Sequence, residues 1–235
     1  LLSLEVMSAI DSAHREWAGQ FFRTFTPTTS KGGISADPSK TAVLCIEYQN
    51  EFATEGGKLN PAVKPVMDST GMMDKTVDVC AAARAAGAKV FHEAITFAED
   101  ASDNPNKGLG ILAGCAGDKL FTAGTWYADF CEQMTPQGSD IVVLGKKGLD
   151  GFPGTDLEEQ LVTRGIETVA ICGFLTNCCV ESTMRTAYEK GFNVITLSDC
   201  CAATSEEGQK AAIEGTFGMF SKTMTAEEFK AELSK

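Results

Sequence analysis

Five short apolar runs, separated by segments of helical periodicity, constrain this sequence most. They are TAVLCIEY over 41–48, KVFHEAITF over 89–97, SDIVVLG over 139–145, ETVAICGF over 167–174 and FNVITLSD over 192–199. Each is rich in β-branched or aromatic residues and bounded by turn residues. Nearly unbroken apolar character marks strands covered on both faces rather than strands with one wet face. Between and after them lie helical segments. GMMDKTVDVCAAARAAG, 71–87, closes on Gly87, and TDLEEQLVTRG, 155–165, opens with a capping box of Thr155 and Glu158. CCVESTMRTAYEKG, 178–191, closes on Gly191; SEEGQKAAIEGTFGMF, 205–220, is helical despite its glycines; TAEEFKAEL, 225–233, has a second capping box, Thr225 with Glu228. Strand alternating with helix predicts an α/β fold: a doubly wound, mainly parallel sheet with helices on both faces, a Rossmann-like three-layer α/β/α arrangement.

The chain divides into an N-terminal extension, 1–40, and a main domain, 41–235. Residues 1–25 are mildly amphipathic and predict a helix, followed by a Thr-, Ser-, Gly- and Pro-rich loop over 26–40. The helix carries Leu2, Leu4, Val6, Met7 and Ile10 ahead of Trp17, Phe21 and Phe22, a face that needs a surface to cover it. Residues 98–138 have scattered Gly, Asn, Asp and Pro and read as a long irregular segment, of the kind that forms lids and pocket walls.

Charge and cysteine usage exclude several classes. A net charge of −12 opposes binding to phosphate backbones or to an anionic membrane surface. No run of 18 apolar residues is present, so no transmembrane helix is expected, and the acidic first segment does not read as a signal peptide. Nine cysteines, an odd number, include the adjacent pairs Cys178–Cys179 and Cys200–Cys201 and several inside apolar runs. That usage fits buried free thiols in the cytoplasm or another reducing compartment rather than a disulfide scaffold. No Cys/His pattern of a metal site occurs, and no cofactor is implied.

In a doubly wound sheet, ligands bind beyond the carboxyl ends of the strands. The first strand ends in Glu47, the third is followed by Lys146 and Lys147, and the fourth runs through Gly-Phe-Leu-Thr-Asn into Cys178 and Cys179 at a helix start. An acid, an amine and a thiol thus converge on one edge. A helix start and a lysine both favour thiolate, a carboxylate can carry the thiol proton to a leaving group, and the glycine-containing turn can offer backbone N–H groups to an oxyanion. The competing reading is that strand-end residues are structural. It is weakest at Glu47, a charge closing an apolar strand. His92, in the second strand, reads as a structural histidine, with substrate contact or a role as base as the alternative. Phe52, Phe97 and Trp126 are candidates for pocket walls, against plain core packing.

The segment GFLTNCCVESTMRTA, 173–187, resembles the nucleophile segment of the isochorismatase-like cysteine hydrolases. LCIEYQNEF, 44–52, is similar to their first-strand segment and GKKGLDGFPGTDLEEQL, 145–161, to their lysine segment. The three motifs stand in family order and each follows its expected strand. The resemblance implies Cys179 as nucleophile, six residues after Gly173 and just before Val180 and Glu181, and Lys146, six before Phe152, as the lysine. It implies that Glu47 takes the place of the usual Asp, one methylene longer, with Gln49 two residues on as in the family. It further implies a cis peptide between Phe174 and Leu175 and an oxyanion site formed by the N–H groups of Leu175 and Cys179. The metal-binding spacing of some relatives is missing after the second strand, so no metal is expected. The implied activity is hydrolysis of a C–N bond in a small amide, carbamoyl or ureide substrate by a homo-oligomer, dimer or tetramer. The alternatives are vinyl ether hydrolysis of an isochorismate-like substrate, with Cys179 idle, and a binding protein whose catalysis has lapsed.

Overall fold

The structure, a computed structural model, describes Ile34 and residues 36–235. The helix expected over 1–25, its covering surface and most of the 26–40 loop lie outside the described residues. What is described of that loop ends in a single tight turn, Pro38–Lys40, where the Asp37 side chain accepts the Ser39 N–H.

Strand β1, Thr41–Ile46, is buried at every residue because parallel neighbours flank it on both sides. Ala42 pairs with Lys89 of β2 (Lys89–Glu93), and Thr41 with Thr168 of β4 (Thr168–Phe174). The fully enclosed Val43, Leu44 and Ile46 each contribute about 1.5–3 kcal/mol of apolar burial, which is why this stretch has no polar face. Beyond β2 lies β3, Ile141–Val143; beyond β4 lie β5, Asn193–Ala202, and β6, Lys222–Met224. The sheet order is β3-β2-β1-β4-β5-β6, and every pairing is parallel.

The chain therefore winds outward from β1 to β3, returns to β4 beside β1, and winds outward the other way. Parallel pairing requires a crossover connection between successive strands, and the helices supply these. After β1 come α1 (Asn50–Ala53), α2 (Asn60–Thr70) and α3 (Met72–Ala86). The short α4, Gly110–Gly117, lies between β2 and β3, and α5, Leu157–Thr163, between β3 and β4. A π-helical turn, Thr176–Val180, leads from β4 into α6, Glu181–Glu189. Helix α7, Glu206–Ala211, continues through a second π turn to Phe220, and α8, Ala226–Leu233, ends the fold packed against α3.

Four differences from the sequence reading have physical causes. Helix α2 escaped it because Pro61 opens the helix and Pro65 lies inside it, which reads as broken periodicity. The box of Thr155 and Glu158 does not form: Asp156 is the cap residue, and the Thr155 hydroxyl turns back to the carbonyls of Gly151 and Phe152. The 98–138 segment is not wholly irregular, since it contains α4. Strand β6 was missed because three residues, Lys-Thr-Met, carry too little pattern. The Thr225–Glu228 capping box is present as expected.

Candidate active site

The switch in winding direction falls between β1 and β4, and there the two strand ends crowd together. Gly173 sits at φ 129°, and a Cβ on it would stand 2.0 Å from the Ile46 carbonyl oxygen. Only glycine lets β4 pass so close. One residue on, the Phe174–Leu175 peptide bond is cis, as the resemblance implied, and the chain then enters the π turn that carries Cys179.

Glu47 follows β1 directly. Its φ is 57°, a conformation that costs a non-glycine residue about 1–2 kcal/mol. Two backbone bonds fix it: its N–H donates to the Glu93 carbonyl at 2.8 Å, and its carbonyl accepts the Gln49 N–H at 2.7 Å. Its carboxylate, 2% exposed with its whole residue, meets the Lys146 ammonium at 2.6 Å. Lys146 is equally buried, and its other hydrogen bonds go to the carbonyls of Gly148 at 2.6 Å and Leu149 at 3.0 Å. Burial opposes the ammonium charge, but the charge of Glu47, the sulfur of Cys179 and the Glu47 hydrogen bond outweigh it and hold Lys146 protonated well above the ordinary lysine range.

Cys179 is buried, yet it lines a cavity of about 270 Å³ together with Glu47 and Leu175. Cys178 is more exposed and is not among the lining residues. The expectation of an acidic Cys179 thiol is reversed. The hydrogen bond that the Cys179 thiol donates to the Cys178 sulfur, burial and the Glu47 charge push the Cys179 thiol up, against the pull of Lys146, while the same bond pulls the Cys178 thiol down. Cys179 is the fourth residue of its turn, not the first. Those shifts favour the protonated Cys179 thiol, and Glu47 lines the same cavity.

Of the aromatics expected at the pocket, Phe52 lines it, stacked on Phe174 with ring centroids 5.1 Å apart. Phe97 and Trp126 are not in the lining. Phe97 is core, bridging to Thr122, and Trp126 is nearly half exposed beside Tyr127. His92 is not in the lining either. Its Nε2 lies 2.9 Å from Asp140, which a bidentate Arg84 holds in turn. Burial lowers the His92 pKa against the pull of Asp140, and the ring packs edge-on to Phe130. Lys147 bonds the Thr96 carbonyl at 2.6 Å and Asp103 at 2.8 Å.

The sequence reading named Gln49 only as a family match and missed that it and its two neighbours fix the pocket walls. Gln49, fully buried, donates to the carbonyls of Ile95 and Ala128 and accepts the Ile95 N–H. Asn50 donates to the Trp126 carbonyl, and Glu51 accepts the N–H groups of Lys58 and Phe121. Three polar residues directly after an apolar strand were the available signal. A second buried acid was also missed. Glu93 closes β2, fully enclosed against Gly151, and neither carboxyl oxygen has a hydrogen-bond partner among the described residues. Burial raises its pKa to about 8; Lys146 opposes that rise, and Glu47 and Asp150 add to it. Among the described residues no cluster of His, Cys, Asp and Glu could hold a metal, and no helix is long and apolar enough to cross a membrane.

Comparison with known proteins agrees with this geometry. A family model described as the isochorismatase domain matches residues 41–228. The chain is 32% identical over 193 residues to ureidoacrylate amidohydrolase RutB of Methylorubrum extorquens, covering 77% of this chain and 76% of that protein. The protein of the same name from Pantoea ananatis is 34% identical over the same shares. A cysteine hydrolase of Pseudomonas syringae pv. phaseolicola superposes with a TM-score of 0.76 at 26% identity, covering 88% of this chain and 99% of that one.

Proposed function

Since the chain belongs to the isochorismatase family of hydrolases, we propose that it hydrolyses the C–N bond of a small amide, carbamoyl or ureide compound through a thioester on Cys179. The observation that carries this reading is that Cys179 and Glu47 line the same cavity while Lys146, outside the lining, bonds Glu47. The names of the relatives, amidohydrolases of a ureido compound, point to the same chemistry.

As the Cys179 sulfur attacks the substrate carbonyl carbon, Glu47 takes the thiol proton. The carbonyl oxygen becomes an oxyanion, which the N–H groups of Leu175 and Cys179 receive. Both residues line the cavity, and preorganised donors of this kind contribute several kcal/mol at the transition state. The tetrahedral adduct collapses, the C–N bond breaks, and Glu47 returns the proton to the departing amine or ammonia. Water then attacks the thioester, again giving a proton to Glu47, and the sulfur leaves and regains it. A thiol that rests protonated suits this cycle, because one carboxylate serves as base and acid in turn. Lys146 holds the Glu47 carboxyl in place. Glutamate reaches the ammonium from the left-handed backbone at residue 47.

The test is the release of ammonia from small amides and ureas by the full chain and by Cys179→Ser and Glu47→Gln, with circular dichroism to confirm folding. Both variants should lose turnover of whatever the parent hydrolyses. Turnover that survives Cys179→Ser would refute the thioester route and leave an ether-type hydrolysis that needs only the acid.

A further inference from the structure

The walls above Cys179 carry a second message, which rests on the proposed amide hydrolysis and narrows its substrate. Phe52, Val63, Ile95, Leu112, Phe121 and Leu149 surround the cavity. Among the described lining residues the charged side chains are Glu47 and Asp118, both acids, and Asp118 is exposed at the mouth. The nearest cation in the site cannot serve a substrate. An ammonium has three hydrogens, and those of Lys146 go to Glu47, Gly148 and Leu149. Lys58 does not line the cavity; its ammonium binds the carbonyls of Asp118 and Lys119.

A substrate carboxylate in this space would be stripped of water, would find no cation among the described lining residues, and would face the Glu47 charge. An unpaired buried charge is among the costliest arrangements in a protein. An alkyl or aryl group would instead meet matching apolar surface. Helix α4 adds to this, since its sequence GILAGCAG has no charged residue and supplies Ile111, Leu112 and Cys115 to the wall. At about 270 Å³ the cavity lies near the lower end of small-ligand pockets, roughly 300–1,000 Å³.

We infer that the substrate is an uncharged small amide or urea bearing an apolar substituent, and that anionic amides are rejected. This separates the chain from the relatives it resembles in sequence, whose named substrate, ureidoacrylate, is a carboxylate.

The test uses isosteres in which an isopropyl end replaces a carboxylate: isocaproamide against succinamate, and isopentylurea against ureidopropanoate. For each, kcat/KM is measured with the full chain by ammonia release. Binding is read separately, as protection of Cys179 from iodoacetamide followed by peptide mapping, so that a ligand that is held but not hydrolysed still counts. The uncharged member of each pair should be preferred on the order of 100-fold or more in turnover, in protection, or in both. A carboxylate that protects or reacts as well as its isostere overturns the inference and leaves the amide hydrolysis standing. Failure of all four compounds to protect or react overturns it too. A Cys179 that resists iodoacetamide altogether would sink the nucleophile reading, and this inference with it.

Discussion

Glu47 and Glu93 close neighbouring parallel strands, are joined by a backbone hydrogen bond, and are both buried. One is a carboxylate gripped by an ammonium at 2.6 Å; the other has two oxygens without a partner among the described residues and a pKa raised to about 8. The residue type is the same and the burial nearly so. What differs is which acid receives a hydrogen of Lys146, whose three hydrogens go to Glu47 and two carbonyls. The ammonium bonds Glu47, and Glu93, without such a bond, is left with burial as the largest influence on its carboxyl, which favours the neutral acid. The site thus holds one charge pair instead of two carboxylates competing for one cation.

Lys146→Met breaks the comparison most severely by leaving both acids without a cation. Turnover should fall at least as far as when the base is removed, and stability should drop by about 3–5 kcal/mol at neutral pH, as for any buried pair that loses one partner. Urea titration beside an activity assay checks both. Glu47→Gln comes next. It keeps the size of the side chain but removes the base, and turnover should fall about 10²–10⁴-fold. Glu47→Asp sharpens the point. The left-handed backbone at residue 47 and the short contact to Lys146 suit the longer acid, so aspartate should also be slow, by about 10-fold or more. An aspartate variant as fast as the parent would show that the extra methylene is immaterial.

Glu93→Gln has a smaller effect, visible in pH dependence. The folded Glu93 titrates near 8, above the 4.5 of an ordinary glutamate, so the folded chain keeps a proton that the unfolded chain releases. Its contribution to stability is complete below about pH 4.5 and is lost as pH rises through about 8, at up to ~1.4 kcal/mol per pH unit between. Urea melts at pH 6, 7 and 8 should show parental stability falling by up to that slope more steeply than that of Glu93→Gln. Parallel slopes would mean that Glu93 does not titrate in that window. The smallest effect on activity is expected at His92. His92→Gln should leave turnover within about two-fold, since the ring bonds Asp140 and does not line the cavity, while stability falls by about 1–3 kcal/mol for a disturbed buried hydrogen bond.

The same pair shows how far the sequence could be read. Strands β1, β2, β4 and β5 were legible because strands enclosed on both faces must be apolar throughout, and Glu47 stood out as a charge at the end of such a run. Glu93 ends KVFHE in the same manner; the signal was there and pointed to a buried acid, but nothing in the sequence tells which of two acids a lysine will choose. That choice depends on the loop after β3 folding Gly148 and Leu149 around the ammonium. The motif spacing singled out Cys179 over Cys178, and the cavity favours the same residue. The acidity expected of its thiol failed because a local argument from a helix start ignores burial and the charge across the site. Phe97 and Trp126 were misplaced for a similar reason: the path of 98–138 is fixed by buried polar clamps from Gln49, Asn50 and Glu51, and these tertiary contacts have no periodicity to read.

The most direct test of the central claim, that Cys179 is the nucleophile served by Glu47, is to trap the acyl-enzyme. The full chain would be acid-quenched during reaction with p-nitrophenyl butyrate, an uncharged apolar acyl donor, and the peptide spanning Cys178 and Cys179 fragmented in a mass spectrometer. The account predicts one butyryl group on Cys179, retained in Cys178→Ser, absent in Cys179→Ser, and formed about 10²-fold or more slowly in Glu47→Gln. A butyryl group on Cys178, or one that survives Cys179→Ser, would contradict it.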